Sequence, residues 1–242
     1  MTFWDHIDEL RSRVVKCLWI FFCGFLVSYF FSDRLLGFLR QPLFDNLPLE
    51  KRHLYYTGLF ENFFVHLRVA SYASLVFLSP VYFFVLWGFI APGLHPHERN
   101  KVLPFAAAGS LFFLIGSSFA YFVLFPAGVK YFLSYGTPAE EAWLTLENYI
   151  SLVLKILAGF GAAFELPVVI VLLAKVGLVT PEKLVAHRKT AIIGITMLSA
   201  LIAPPDAISM LLLMIPLYLL FEGSVVVVRM IHKKRLDPAN PN

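Results

Sequence analysis

The apolar positions of this 242-residue chain gather into six runs separated by short polar stretches. They are Val14–Phe31, Val69–Ile90, Val102–Phe125, Ser151–Lys175, Ala191–Ala203 and Ile208–Val228. A helix rises about 1.5 Å per residue, so roughly 20 residues cross a hydrocarbon core about 30 Å thick. The first four runs meet that length, and the sixth meets it with Glu222 inside it. The fifth reaches only about 20 Å, and Pro204-Pro205-Asp206 then turns the chain straight into the sixth. It is either a short span under a thinned bilayer or a re-entrant segment. The short span is the reading adopted, because a re-entrant segment would leave the basic tail on the opposite side from the other basic loops.

Ahead of the first run, Phe3, Ile7, Leu10 and Val14 recur at helical spacing, while Asp5, Glu9 and Arg13 share another face. This predicts an amphipathic helix over residues 1–13 lying on the membrane surface, with Glu9 four residues from Arg13 and able to pair with it. Pro80, Pro167 and Pro216 fall inside runs two, four and six. Each removes a backbone hydrogen bond and bends its helix, as ordinary transmembrane prolines or as the makers of a concave face. Two carboxylates lie within apolar runs: Glu165, in Phe164-Glu165-Leu166-Pro167, and Glu222. Ionisable groups at such depth face the protein interior or water rather than lipid. Glu222 lies nearer an end, where it either snorkels or pairs with Arg229.

Composition removes the soluble classes. The chain is 59% apolar and 15% charged, with a mean hydropathy of +0.74, against about 45–50% apolar and about 25% charged in soluble domains. The net charge of +4 therefore reports loop orientation rather than nucleic-acid binding. Arg11, Arg13, Lys16, Arg99, Lys101, Lys183, Arg188, Lys189, Arg229, Lys233, Lys234 and Arg235 fall in one set of segments, which is thereby cytoplasmic together with both termini. Asp5, Asp8 and Glu9 in the leader are unlike a secretory signal. Cys17 and Cys23 suggest neither a disulfide framework nor a metal site. His95 and His97 make only a weak H-x-H pattern, and no hydrolase or phosphate-binding motif is present, so neither a cofactor nor a metal is expected.

Five segments taken together carry a resemblance. They are His6-Ile7-Asp8-Glu9-Leu10-Arg11-Ser12-Arg13; Ser79-Pro80-Val81; Trp87-Gly88-Phe89-Ile90-Ala91-Pro92-Gly93-Leu94 with His97-Glu98-Arg99; Ala163-Phe164-Glu165-Leu166-Pro167; and Ala203-Pro204-Pro205-Asp206 with Ile215-Pro216-Leu217 and Leu220-Phe221-Glu222. In this order, across nearly the whole chain, they resemble the TatC family, the multispan receptor subunit of twin-arginine protein translocation. The chain departs from the family at Phe84-Val85 and Ser209-Met210, where the family often has Tyr-Gln and Ser-Gln.

The resemblance implies an all-α integral membrane protein of six transmembrane helices in a cupped bundle, with Pro-bent helices and short fifth and sixth spans. It implies one transmembrane domain over 1–242, with the bundle at 14–228 and a cytoplasmic tail at 229–242. The signal peptides of folded cargo would bind at Glu9 and Glu98, with Arg11 and Arg99 alongside, at the cytoplasmic face of the inner membrane. Single-span TatA- and TatB-type subunits, further copies of the chain and membrane lipid would be its partners, with the proton-motive force as driver and no enzymatic activity. Glu165 and Glu222 would be its intramembrane polar groups. Pro80, Pro167, Pro204, Pro205 and Asp206 would shape the helices. Apart from the resemblance, the short fifth run and the Pro204-Pro205-Asp206 turn leave little exterior cover over runs five and six, which predicts that a partner helix docks by Met197, Leu201 or Met210. The rival reading from the residues is an ion-coupled small-molecule transporter, suggested by Glu165 and the broken helices.

Overall fold

The structure, a computed structural model, describes residues 3–90, 102–134, 143–202 and 207–236. Outside helices, these residues form turns, short irregular stretches and one isolated parallel bridge between Tyr55 and Thr145. The helices are α1 (Phe3–Phe30), α2 (Ser32–Phe44), α3 (Glu61–Phe77), α4 (Ser79–Ile90), α5 (Val102–Phe119), α6 (Phe125–Leu133), α7 (Leu146–Ala163), α8 (Leu166–Lys175), α9 (Pro181–Ala186), α10 (Arg188–Ile202) and α11 (Ala207–Leu236). Two compact units divide within α7, at Phe160 and Gly161.

Four stretches are long and apolar enough to cross a membrane unaided: Ile7–Phe30, Leu103–Leu133, Leu146–Lys175 and Ala207–Lys233. The pair α3–α4 makes a fifth, bent by 61°. The sixth expected crossing is α10, whose 15 residues extend about 22 Å. The first span differs from expectation in one respect. No glycine or proline interrupts residues 3–23, so the amphipathic segment and the span form a single helix of 28 residues. The helix that carries the sixth span, α11, has 30 residues, because helix continues past the apolar run through the basic residues that follow it.

In the first unit, α3 supplies Val65, Val69, Ala70 and Ala73 to the core, and α7 supplies Ile150, Val153, Leu157 and Phe160 on one helical stripe. α1 lies along α3. The approach is closest at Gly24, where an added Cβ would run into the Leu78 and Ser74 side chains. Ser74, fully buried, donates from its hydroxyl to the carbonyl of Phe21 at 3.1 Å. The other side of α1 leaves Leu18, Trp19 and Phe30 exposed, as a lipid-facing surface requires.

The break between α3 and α4 follows from Pro80, which has no N–H to return to the carbonyl of Val76. α2, which lies between the first two apolar runs, is amphipathic and buries Leu36, Leu39 and Leu43. It contains Pro42, so the carbonyl of Phe38 lacks its usual donor four residues on. The Tyr121 hydroxyl supplies one, at 2.7 Å. Tyr121 belongs to a π-helical turn, Ala120–Leu124, that joins α5 to α6, and Pro126 follows at the start of α6.

In the second unit, α11 buries Leu213, Leu217, Phe221, Val225 and Val228 as one stripe. α8 and α10 pack along this helix, and α10 contributes Ile195, Ser199 and Ile202 to the core. α8 starts beside Pro167 and ends at Gly177, whose φ of 82° is the left-handed conformation that closes a helix. α9 is capped by Thr180, which accepts from the backbone N–H of Lys183 at 3.4 Å.

Candidate functional site

Glu9 and Arg13 lie one turn apart on α1, and the expected pair is present. The Arg13 guanidinium donates to the Glu9 carboxylate at 3.1 Å. The same nitrogen donates to the carbonyl of Gly88 at 3.2 Å. Gly88 is in the last turn of α4, where carbonyls lack helical partners and a cation is favoured. A Cβ on Gly88 would collide with the Arg13 guanidinium, so glycine is what lets the arginine cross. Glu9 is thus held by an arginine anchored to the end of α4, the helix that precedes Glu98 and Arg99 in sequence. Glu98 and Arg99 lie outside the described residues. Arg11 is exposed on α1.

Directly alongside, α1, α4 and α5 enclose an open groove of ≈ 500 Å³. Leu10, Val14, Phe21, Leu86 and Phe113 line it, and Arg13 stands within the same lining. An apolar channel therefore adjoins the Glu9–Arg13 pair on the same helix face.

Glu222 does not pair with Arg229. Arg188, at the start of α10, donates to one of its oxygens at 2.7 Å, and the Tyr218 hydroxyl donates to the other at 2.9 Å. The reason is helical geometry: Arg229 is seven residues further along α11, two turns away, whereas α10 packs against α11 and brings Arg188 alongside. Glu165 is half-buried at the junction of α7 and α8, with Pro167 in the first turn that follows. Met210 is half-buried on α11. Pro204, Pro205 and Asp206 lie outside the described residues.

Sequence reasoning missed Glu61. Its side chain is buried at the start of α3 and joins two separate segments. One oxygen accepts from the Thr57 N–H at 2.6 Å, the Thr57 hydroxyl at 3.1 Å and the Gly58 N–H at 3.1 Å. The other accepts from the Glu147 N–H at 3.0 Å, in the first turn of α7. Arg68 continues the link, 2.8 Å from the Glu147 carboxylate and donating to the Ser151 hydroxyl at 2.7 Å. The available signal was Gly58-x-x-Glu61 ahead of a helix, the spacing of a side chain that reaches back to cap.

Helical spans broken at prolines, a carboxylate–arginine pair fastened to the end of one of them and an adjoining apolar groove are the features of a multispan helical membrane protein. Among the described residues there is no group of three or more His, Cys, Asp or Glu placed to hold a metal ion. Residues 5–216 match the family described as Sec-independent protein translocase protein (TatC). The curated TatC of Desulforapulum autotrophicum is 37% identical over 233 residues, covering 96% of this chain and 86% of that protein. That of Escherichia coli K12 is 34% identical over 220 residues, covering 91% and 85%. A crystal structure of the twin-arginine translocase receptor TatC superposes with a TM-score of 0.83 at 32% identity, covering 93% of this chain and 98% of that one. The chain belongs to the TatC family. It is a multispan membrane component of the Sec-independent translocase, a transport protein and not an enzyme.

Proposed function

We propose that this chain receives the twin-arginine signal peptides of folded cargo at the cytoplasmic face of the inner membrane, with Glu9 and Glu98 as the two carboxylates. The observation that carries the reading is the Glu9–Arg13–Gly88 contact. It secures one acid of the pair at the root of the loop that bears the other. A guanidinium is a planar fork that matches a carboxylate with two parallel hydrogen bonds, so adjacent arginines ask for two acids on one surface. The groove beside Arg13 offers the apolar stretch of the signal a place to lie. Arg11 and Arg99, two residues and one residue along the chain from the acids, limit in this reading how much uncompensated negative charge the site carries.

Both termini are cytoplasmic in this reading, the chain works as one membrane domain, and the proton-motive force drives transport. Partner helices of the TatA and TatB type dock on α10, where Ile193, Met197 and Leu201 are exposed at successive fourth positions. Met210 lies at the neighbouring start of α11, and further copies of the chain complete the assembly. Glu165 serves as an intramembrane polar group: Glu165→Gln leaves signal binding intact, and Glu165→Leu impairs transport.

The test is a titration of twin-arginine and twin-lysine peptides against the unmutated protein, Glu98→Gln and Glu9→Gln. Loss of one charge-assisted contact weakens the arginine peptide by about tenfold to a hundredfold. The lysine peptide binds less well throughout and loses less. Equal arginine-peptide affinity in all three proteins removes these residues from the receptor. Cysteines placed at Ser12, His97, Ala186 and Asn240 label from the cytoplasm, and those at Asn46, Ala139 and Ala207 from outside. Exterior labelling at position 97 overturns the orientation.

A further inference from the structure

α11 leaves its apolar stretch at Val228 and continues through Arg229, His232 and Lys233. These lie at i, i+3 and i+4 and share one face. Glu182, Val185 and Ala186 of α9 have the same spacing, and the two faces border one groove of ≈ 650 Å³. Its lining joins the apolar Pro181, Val185 and Ala186 to the charged Glu182, Arg229 and Lys233. Glu182's own backbone N–H and the Thr180 hydroxyl hold its carboxyl below the usual carboxylate range, with His232 and Arg229 adding smaller pulls.

A groove with two permanent cations and one ionised acid does not suit a simple anion, which Glu182 would repel. It suits a zwitterion whose phosphate meets Arg229 and Lys233 and whose ammonium meets Glu182. The location selects the source. Arg229 is the first charged residue after the apolar run, at the depth of lipid head groups, and Val226, Val227 and Met230 stand exposed beside it, where acyl chains would run.

We propose that the α9–α11 groove seats the head group of an ethanolamine phospholipid. Its phosphate is held by Arg229 and Lys233, and its primary ammonium by Glu182. A choline head group has no N–H to give the carboxylate, and a glycerol head group has no cation at all, so Glu182 confers selectivity while the bases confer affinity. The site is built from α9 and α11 alone and does not depend on how signal peptides bind.

The experiment uses the full-length protein in detergent with a phosphatidylethanolamine carrying a photoactivatable group in one acyl chain. Labelling is mapped to peptides and competed with unlabelled ethanolamine, choline and glycerol phospholipids and with soluble glycerophosphoethanolamine. The expected result is labelling of α11 around Val226–Met230, with ethanolamine lipid competing about tenfold better than choline lipid, the worth of one charge-assisted hydrogen bond. Glu182→Gln should erase that preference. Arg229→Gln and Lys233→Gln should weaken both lipids alike. Ala186→Trp, which fills the groove without changing charge, should abolish labelling in a protein with an unchanged melting temperature. Equal competition by ethanolamine and choline lipids, a preference that survives Glu182→Gln, stronger competition by glycerol lipid, or equal competition by the soluble head group would each overturn the proposal.

Discussion

Tyr121 donates its hydroxyl hydrogen to the carbonyl of Phe38 at 2.7 Å, and Phe38 is the residue whose carbonyl Pro42 leaves without a helical donor. The π-helical turn that carries Tyr121 thus repairs a defect in α2, which is distant in sequence. A second hydroxyl, from Tyr149, donates to the next carbonyl along, that of Leu39, at 2.9 Å. Tyr121→Phe should cost about 1 kcal/mol of stability, the net worth of one intramolecular hydrogen bond. In a Pro42→Ala background, residue 42 regains an N–H, and the same change should cost about 0.5 kcal/mol or less. Unfolding measured in detergent over the double-mutant cycle checks this, and additive losses would separate the two residues.

Glu61 is a cap shared between two segments. Glu61→Ala should release the Thr57, Gly58 and Glu147 amides together, and their hydrogen exchange should rise by about tenfold or more. Glu61→Gln should be milder and selective. Its amide oxygen can still accept from Thr57 and Gly58, while its NH₂ group then faces the Glu147 N–H. Exchange should therefore rise at Glu147 and stay low at Gly58. A uniform rise across all three amides would contradict the division of labour between the two oxygens.

Gly88→Ala places a methyl where the Arg13 guanidinium sits. The obstacle is the end of a flexible side chain, so the protein should fold and the arginine should move. Glu9 then loses the anchor that holds its partner. Signal-peptide affinity should fall by severalfold, less than in Glu9→Gln, and Arg13→Gln should add little on top of Gly88→Ala. Peptide titration of the two single variants and the double variant reads this directly, and fully additive losses would show that Arg13 acts without Gly88.

Arg188 and Glu222 connect α10 to α11 through a contact that is partly exposed at both ends. Solvent screening keeps such a pair modest, so a double-mutant cycle with Arg188→Gln and Glu222→Gln should return a coupling of about 1 kcal/mol or less. Arg229→Gln should show no coupling to Glu222→Gln within error. A larger coupling to position 229 than to position 188 would reverse the assignment.

What the sequence discloses follows from how local each signal is. Apolar runs placed the spans because burial in lipid imposes a composition on some 20 consecutive residues. The Glu9–Arg13 pair was legible because its partners are one turn apart. The partner of Glu222 was not, since Arg188 is 34 positions away and only the packing of α10 on α11 brings it near. The break before Pro80 could be anticipated from the proline, whereas the π-helical turn at Ala120–Leu124 has no comparable local mark. α2 escaped notice because it is too short and too polar to register as a span, although Leu36, Leu39 and Leu43 carry a helical period. The unbroken course of α1 was hidden by the change from amphipathic to wholly apolar patterning near Val14, which alters the helix's surroundings but not its backbone.

That unbroken helix has a mechanical consequence. α1 grips α3 at Gly24 and Ser74, below the break at Leu78, and grips α4 at Gly88 through Arg13, above it. It is therefore a splint laid across a joint: a rod of about 42 Å fastened on both sides of a 61° bend. The angle of the bend is then set less by Pro80, which merely permits flexion, than by the distance between the two fastenings along the rod. Whatever pulls on Arg13, a competing carboxylate included, loosens the upper fastening and gives the joint freedom to flex.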